Sequence, residues 1–182
     1  MKSFIYPEMM VHVPLCTHKD PQNILLISDD TKLFDVELAR HRDCSITIIK
    51  SSDAGDAICN LEDNSFDVVL SEGSNEAVLL AHIARVSKED ALISIAHPSL
   101  DDIEANRVIM KNLAKDFKII MPYNAGENTL LLASKEYHPT ADIILQRSDL
   151  LEGHSYYNCD IHPAAFATGN DVRKAYLGII RN

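Results

Sequence analysis

Asn23-Ile24-Leu25-Leu26-Ile27-Ser28, which runs into the acidic turn Asp29-Asp30-Thr31, is the stretch from which the fold can be read. Leu33, Phe34, Val36, Leu38 and Ala39 then recur at roughly helical spacing, so the segment reads strand, loop, helix. The same cycle returns. Ser45-Ile46-Thr47-Ile48-Ile49-Lys50 predicts a strand and Ala54 to Leu61 a short helix. Phe66-Asp67-Val68-Val69-Leu70-Ser71 predicts a third strand, after which Ser74 is placed to cap a helix whose Ala77, Leu80, Ile83 and Ala84 share a face. Ala91 to Ala96 predicts a fourth strand, followed by a helix from about Leu100 to Ala114. Phe117 to Met121 and Thr129 to Ser134, joined by a turn containing glycine, form an expected antiparallel pair. Strands apolar along their whole length and alternating with helices predict a mostly parallel sheet covered on both faces, a doubly wound α/β fold. Ligands of such folds gather beyond the carboxyl ends of the strands, here Ser28 to Thr31, Lys50 to Asp53, Ser71 to Asn75 and Ala96 to Ser99.

With 182 residues, 46% of them hydrophobic and 24% charged, the chain is expected to be a single domain, residues 1–182, built round one core. No stretch approaches the length of apolar residues that a membrane helix needs, and Met1 to Glu8 lack the apolar run of a signal peptide. The expected location is the cytoplasm, with no membrane partner. Cys16, Cys44, Cys59 and Cys159 stand far apart, with no Cys-x-x-Cys pair, which fits idle thiols in that compartment. Seventeen basic against 27 acidic residues give a net charge of −10, which repels a phosphate backbone and argues against nucleic acid. A cationic ligand such as a polyamine suits that field. His12, His18 and His162 have no third ligand at metal spacing along the sequence, so no metal site is expected and they read as packing or hydrogen-bonding residues.

Two further segments frame the α/β region. Tyr6-Pro7-Glu8-Met9-Met10-Val11-His12-Val13-Pro14-Leu15 lies in an expected helix within residues 1–20, and Tyr156-Tyr157-Asn158-Cys159-Asp160-Ile161-His162-Pro163-Ala164-Ala165-Phe166-Ala167 lies within a closing stretch, 155–182. In this order they resemble the segments that flank the catalytic domain of the spermidine synthases, the polyamine aminopropyltransferases. That resemblance spans almost the whole chain. It implies a Rossmann-like, class I methyltransferase-like fold with an antiparallel carboxyl-terminal strand pair. It also implies decarboxylated S-adenosylmethionine as co-substrate with no further cofactor, putrescine or a similar diamine as acceptor, and a homodimer.

The resemblance carries over residue by residue. Phe66 to Asn75 is similar to the family's Phe-Asp-Val-Ile-Ile-x-Asp-x-x-Asp-Pro, which puts Glu72 at the catalytic carboxylate, beside Ser71, and Asn75 at a second acidic position. Ser28-Asp29-Asp30-Thr31-Lys32 stands where the family has a glycine-rich loop; Asp29 or Asp30 would supply its carboxylate, although no glycine remains to let the backbone approach a ligand closely. Lys50 stands where a Glu clasps ribose hydroxyls; a lysine cannot accept hydrogen bonds, so either Asp53 reaches that region or Asp53-Ala54-Gly55-Asp56 matches the family's Asp-Ala or Asp-Gly step beside the adenine. Tyr6 and Glu8 match substrate-side residues of the first helix, with Pro7 replacing a His. The family's Tyr-Pro-containing loop and its amino-terminal β-domain have no counterpart here, and the middle of the chain is shorter by about a strand and a helix.

These departures leave a second reading, a homologue that kept the fold as a binding or assembly module after losing the nucleotide site. A third reading compares the acidic pair after the first strand and Glu72 with a signalling receiver domain. It explains neither flanking segment.

Overall fold

The computed structural model describes residues 4–182. Six strands form one sheet in the order β2-β1-β3-β4-β6-β5. They are β1 Asn23–Ile27, β2 Ser45–Ile49, β3 Phe66–Ser71, β4 Ser87–His97, β5 Ile119–Ala125 and β6 Asn128–Ser134. The first four are mutually parallel, while β4–β6 and β6–β5 are antiparallel. This is the doubly wound, mostly parallel arrangement the alternating pattern predicts, antiparallel pair included, and the Rossmann-like fold the resemblance implies. Helices α1 Ile5–Thr17, α2 Lys32–Leu38, α3 Ala54–Ala57, α4 Ala77–Val86 and α5 Ile103–Leu113 alternate with the strands, and the short α6 Leu145–Leu150, α7 Ile161–Ala164 and α8 Asn170–Ala175 follow.

Alternate residues of each strand enter opposite cores, as the pleat requires. Leu25, Ile27, Val69, Ile93 and Ala133 meet Leu80 and Ile83 of α4 and Ile109, Met110 and Leu113 of α5. Ile24, Leu26, Val68, Leu70 and Leu132 meet α1, Phe34 and Leu38 of α2, and Tyr157 and Phe166 from the closing stretch. Every residue of α1 from Pro7 to Thr17 is buried, because it is apolar on all sides and is roofed by α2 and the closing segments. Glu8 and His12 are the ionisable groups that this burial takes inside.

The element boundaries differ from expectation in instructive places. Ser74 does not cap α4, which begins at Ala77 after Glu76. The side-chain Nδ2 of Asn75 donates instead to the Ala96 carbonyl at 3.0 Å, which ties the segment after β3 to the end of β4. Strand β4 starts at Ser87, four residues before the apolar run, because the charged Lys88, Glu89 and Asp90 already lie on the strand path. The stretch from Ser51 to Asn60 is α3 between two 3₁₀ turns. Only α2 residues Phe34, Glu37 and Leu38 are buried, while Val36 is 63% exposed.

Candidate functional site

After β1 the chain goes first to β2 on one side and later to β3 on the other, so the carboxyl ends of β1 and β3 flank the point where the strand order reverses. Ser28 leaves one strand there and Glu72 the other. The buried Ser28 hydroxyl donates to Glu72 Oε2 at 2.5 Å, in the range of a charge-assisted O–H···O⁻ bond. The Ser28 oxygen in turn accepts from the Asp30 amide at 3.0 Å, and the Glu72 amide donates to the Ile27 carbonyl at 2.8 Å. Tyr6, at the start of α1, packs its ring near Phe34 and brings its phenol to Glu72. Burial, then the Glu72 charge and the hydrogen bond to it, push the Tyr6 pKa upward, so the phenol stays protonated and donates. One carboxylate at the switch point thus faces two hydroxyl donors.

Around this centre the expected residues take distinct places. Asp29 is exposed, and its Oδ1 accepts from both the amide and the hydroxyl of Ser52, tying the loop after β1 to the loop after β2. Asp30 and Asp53 are exposed at the same end of the sheet. The buried Ser71 hydroxyl accepts from the Gly73 amide at 3.1 Å and so folds the turn after β3. A Cβ on Gly73 would stand 2.9 Å from Leu79 Cδ2, which leaves room there for glycine. The loop from Ser28 to Thr31 needs no glycine: among the described residues, Asn64 is the non-glycine with positive φ.

Glu8 is placed differently. It is 2% exposed, and its carboxylate accepts the amides of Ser155, Tyr156 and Tyr157 at 2.9, 2.8 and 2.7 Å. Its oxygens are therefore committed to the chain's own backbone, joining the two segments that frame the fold. Tyr157 and Phe166 are buried core aromatics, and Tyr156 packs against the same cluster.

Two features could not be read from the sequence. His97, at the end of β4, places its Nδ1 2.9 Å from the Pro98 carbonyl, which leaves Nε2 buried with no hydrogen-bond partner at the carboxyl end of the parallel strands. Burial holds this imidazole neutral, with a pKa of about 4. The other feature is a cluster of His12, His41, His154 and Glu37 behind α1. Neither has a spacing signal, since each is assembled by packing. A cleft of about 440 Å³ lies at the far edge of the sheet, along β5, lined by Met121, Phe166, Arg173 and Leu177 among others. It carries no acidic group and is remote in the strand order from the switch point.

No protein-family model matches the chain. A polyamine aminopropyltransferase of Helicobacter acinonychis is 25% identical over 208 aligned residues, covering 95% of this chain and 78% of the relative. Those 208 positions exceed the 182 residues present here, so the relative has residues without a counterpart in this chain. A polyamine aminopropyltransferase of Shouchella clausii is 26% identical, covering 90% of this chain and 75% of the relative. Among solved structures, spermidine synthase from Thermotoga maritima superposes with a TM-score of 0.80 at 22% identity, over 97% of this chain and 75% of the other. Among the described residues no helix is long and apolar enough to cross a membrane.

Proposed function

We propose, from the premise that this chain is a divergent member of the spermidine synthase family, that it transfers the aminopropyl group of decarboxylated S-adenosylmethionine to putrescine. The observation that carries the reading is the convergence of Tyr6, Ser28 and Glu72 at the switch point of the sheet.

In this reading a neutral amine of the diamine attacks the propyl carbon beside the sulfonium. The new N–C bond forms as the C–S bond breaks, and methylthioadenosine leaves. The reaction asks the protein for alignment and for a base, since the diamine arrives protonated. Glu72 takes the ammonium proton, and the hydroxyls of Ser28 and Tyr6 hold its carboxylate in one orientation. Asp29, Asp30 and Asp53 line the mouth, where they attract the dication and accept from nucleoside hydroxyls. Ser71 and Asn75 shape the turn that presents Glu72, and the orphaned His97 Nε2 accepts from the ligand. Glu8 anchors the helix that delivers Tyr6.

Calorimetry with methylthioadenosine, followed by turnover with decarboxylated S-adenosylmethionine and putrescine, tests this directly. Glu72→Gln is expected to lower turnover by on the order of 100-fold or more while nucleoside affinity stays nearly unchanged. Equal turnover by the variant would remove Glu72 from its role. Absence of nucleoside binding at millimolar ligand would favour the second reading, a binding or assembly module. That reading draws support from the Asn75 amide being spent on Ala96 and Asp29 on Ser52.

A further inference from the structure

We infer that His12, Glu37 and His154 form a binding site for a single divalent transition-metal ion of the zinc class, which staples α1 and α2 to the segment preceding Ser155. The three side chains come from distant parts of the sequence. His12 Nε2 lies 2.8 Å from Glu37 Oε2 and 3.0 Å from His154 Nε2, and the three candidate donor atoms all lie within 4.8 Å of one another. His12 is fully buried, Glu37 is 7% exposed, and the half-buried His154 marks the side from which an ion and a completing water would enter.

The argument rests on counting protons. His12 Nδ1 lies 2.9 Å from His41 Nε2, so one of those two nitrogens must carry a proton. If it is His12 Nδ1, then His12 Nε2 is a bare lone pair facing the Glu37 carboxylate at 2.8 Å, which is repulsive. With His12 neutral, the form its burial favours, the metal-free chain therefore needs His41 Nε2–H donating to His12 Nδ1. A single proton on His12 Nε2 is then shared between Glu37 and His154. Three inward-facing electron pairs have one proton among them. A cation satisfies all three, and His12 Nδ1–H then donates to His41 as an outer partner of the kind that orients metal-bound imidazoles.

The donor set fits. Two imidazole nitrogens and a carboxylate oxygen suit zinc, with Zn–N and Zn–O distances of about 2.0–2.2 Å; tetrahedral edges of about 3.3 Å ask the cluster to open by a few tenths of an ångström. The imidazoles are held in the neutral form that ligates: burial lowers His12, and it brings His154 to about 4 and His41 to about 3. Arg40 donates to Glu37 Oε2 at 2.9 Å and opposes a cation, but the charge of the nearby Glu8 carboxylate acts on both His12 and His154 in the opposite sense. The Arg40 guanidinium also bonds the Glu152 and Gly153 carbonyls, fixing the approach to His154.

The other cluster of suitable type, His18 with Asp67 and Asp90, fits less well. There His18 Nδ1 accepts from the Asp20 amide, which leaves Nε2 protonated, and Lys88 already holds Asp67.

The test is titration of the full chain, untagged and stripped with chelator, with Co²⁺ read by its visible absorption and with Zn²⁺ read by competition. One equivalent of ion is expected to bind. His154→Ala and Glu37→Gln should weaken Zn²⁺ by more than the roughly 10- to 100-fold that loss of an outer partner, His41→Ala, costs. The double variant Cys59→Ser/His82→Ala, at a surface pair 3.6 Å apart, should leave stoichiometry and affinity unchanged, as should His18→Gln. Imidazole ¹⁵N spectra of the unmutated chain supply a reading independent of variant folding: Zn²⁺ should move the His12 proton from Nε2 to Nδ1. Failure of Co²⁺ and Zn²⁺ to bind at micromolar concentration would overturn the site. So would binding that survives His154→Ala and Glu37→Gln together, or an unmoved His12 tautomer. None of these outcomes depends on aminopropyl transfer.

Discussion

Ser28 and Glu72 are 44 residues apart in sequence and 2.5 Å apart in space, and this pairing sets the character of the site. The Ser28 hydroxyl holds the Glu72 carboxylate from a loop that contains no glycine. On the proposed aminopropyl transfer, Ser28→Ala should lower kcat by about 10- to 100-fold with little change in the KM for the nucleoside substrate, because a hydrogen bond to a charged group contributes about 1.5–3 kcal/mol. A KM that rose while kcat held would place Ser28 in ground-state binding instead. The position of Glu72, just beyond the end of β3, was legible from the sequence pattern. Its partners were not, because period and motif describe one segment at a time, whereas Ser28 and Tyr6 reach Glu72 through the pairing of β1 with β3 and the burial of α1. The committed carboxylate of Glu8 was hidden for the same reason: its partners are backbone amides, to which a side-chain pattern is blind.

The elements show what each segment's own chemistry decides. The β5–β6 hairpin turns through Gly126 and Glu127, and Gly126 has φ +72 with its would-be Cβ 3.2 Å from Ile5 Cγ2. Gly126→Ala should destabilise the fold by about 1–2 kcal/mol, read as a lower urea midpoint with an unchanged slope, since the left-handed conformation penalises any Cβ. The short apolar strands were legible because they are buried on both faces and need no alternation. Boundaries were less so. The start of α4 is fixed by the Asn75 side-chain Nδ2 reaching Ala96, a contact that outcompetes the cap Ser74 offers. Strand β2 is the exception to burial: at the sheet edge, Ile46 is 36% and Ile48 48% exposed. Ile48→Lys should change stability by no more than about 0.5 kcal/mol, where the same change at Leu26 would prevent folding.

For the whole molecule, histidine burial governs behaviour in mild acid. Burial holds His162 at about 4 and His41 at about 3, against an ordinary value near 6.5 in the unfolded chain. Between those values the unfolded chain binds protons that the folded chain refuses. The stability these groups contribute is therefore complete above pH 6.5 and is lost as pH falls toward 4. His162 alone accounts for on the order of 3 kcal/mol across that window. Urea midpoints of the chelated chain should fall between pH 7 and pH 5, and a midpoint flat to pH 5 would contradict the assignment. One consequence of the Glu8 anchor concerns time. The amides it needs lie 147 to 149 residues downstream. A nascent chain elongating at about 5–20 residues per second leaves the ribosome with α1 uncovered for on the order of ten seconds before its roof exists. A mostly apolar helix waiting that long is an invitation to chaperones, and truncation after α5 should yield a polypeptide that is captured rather than folded.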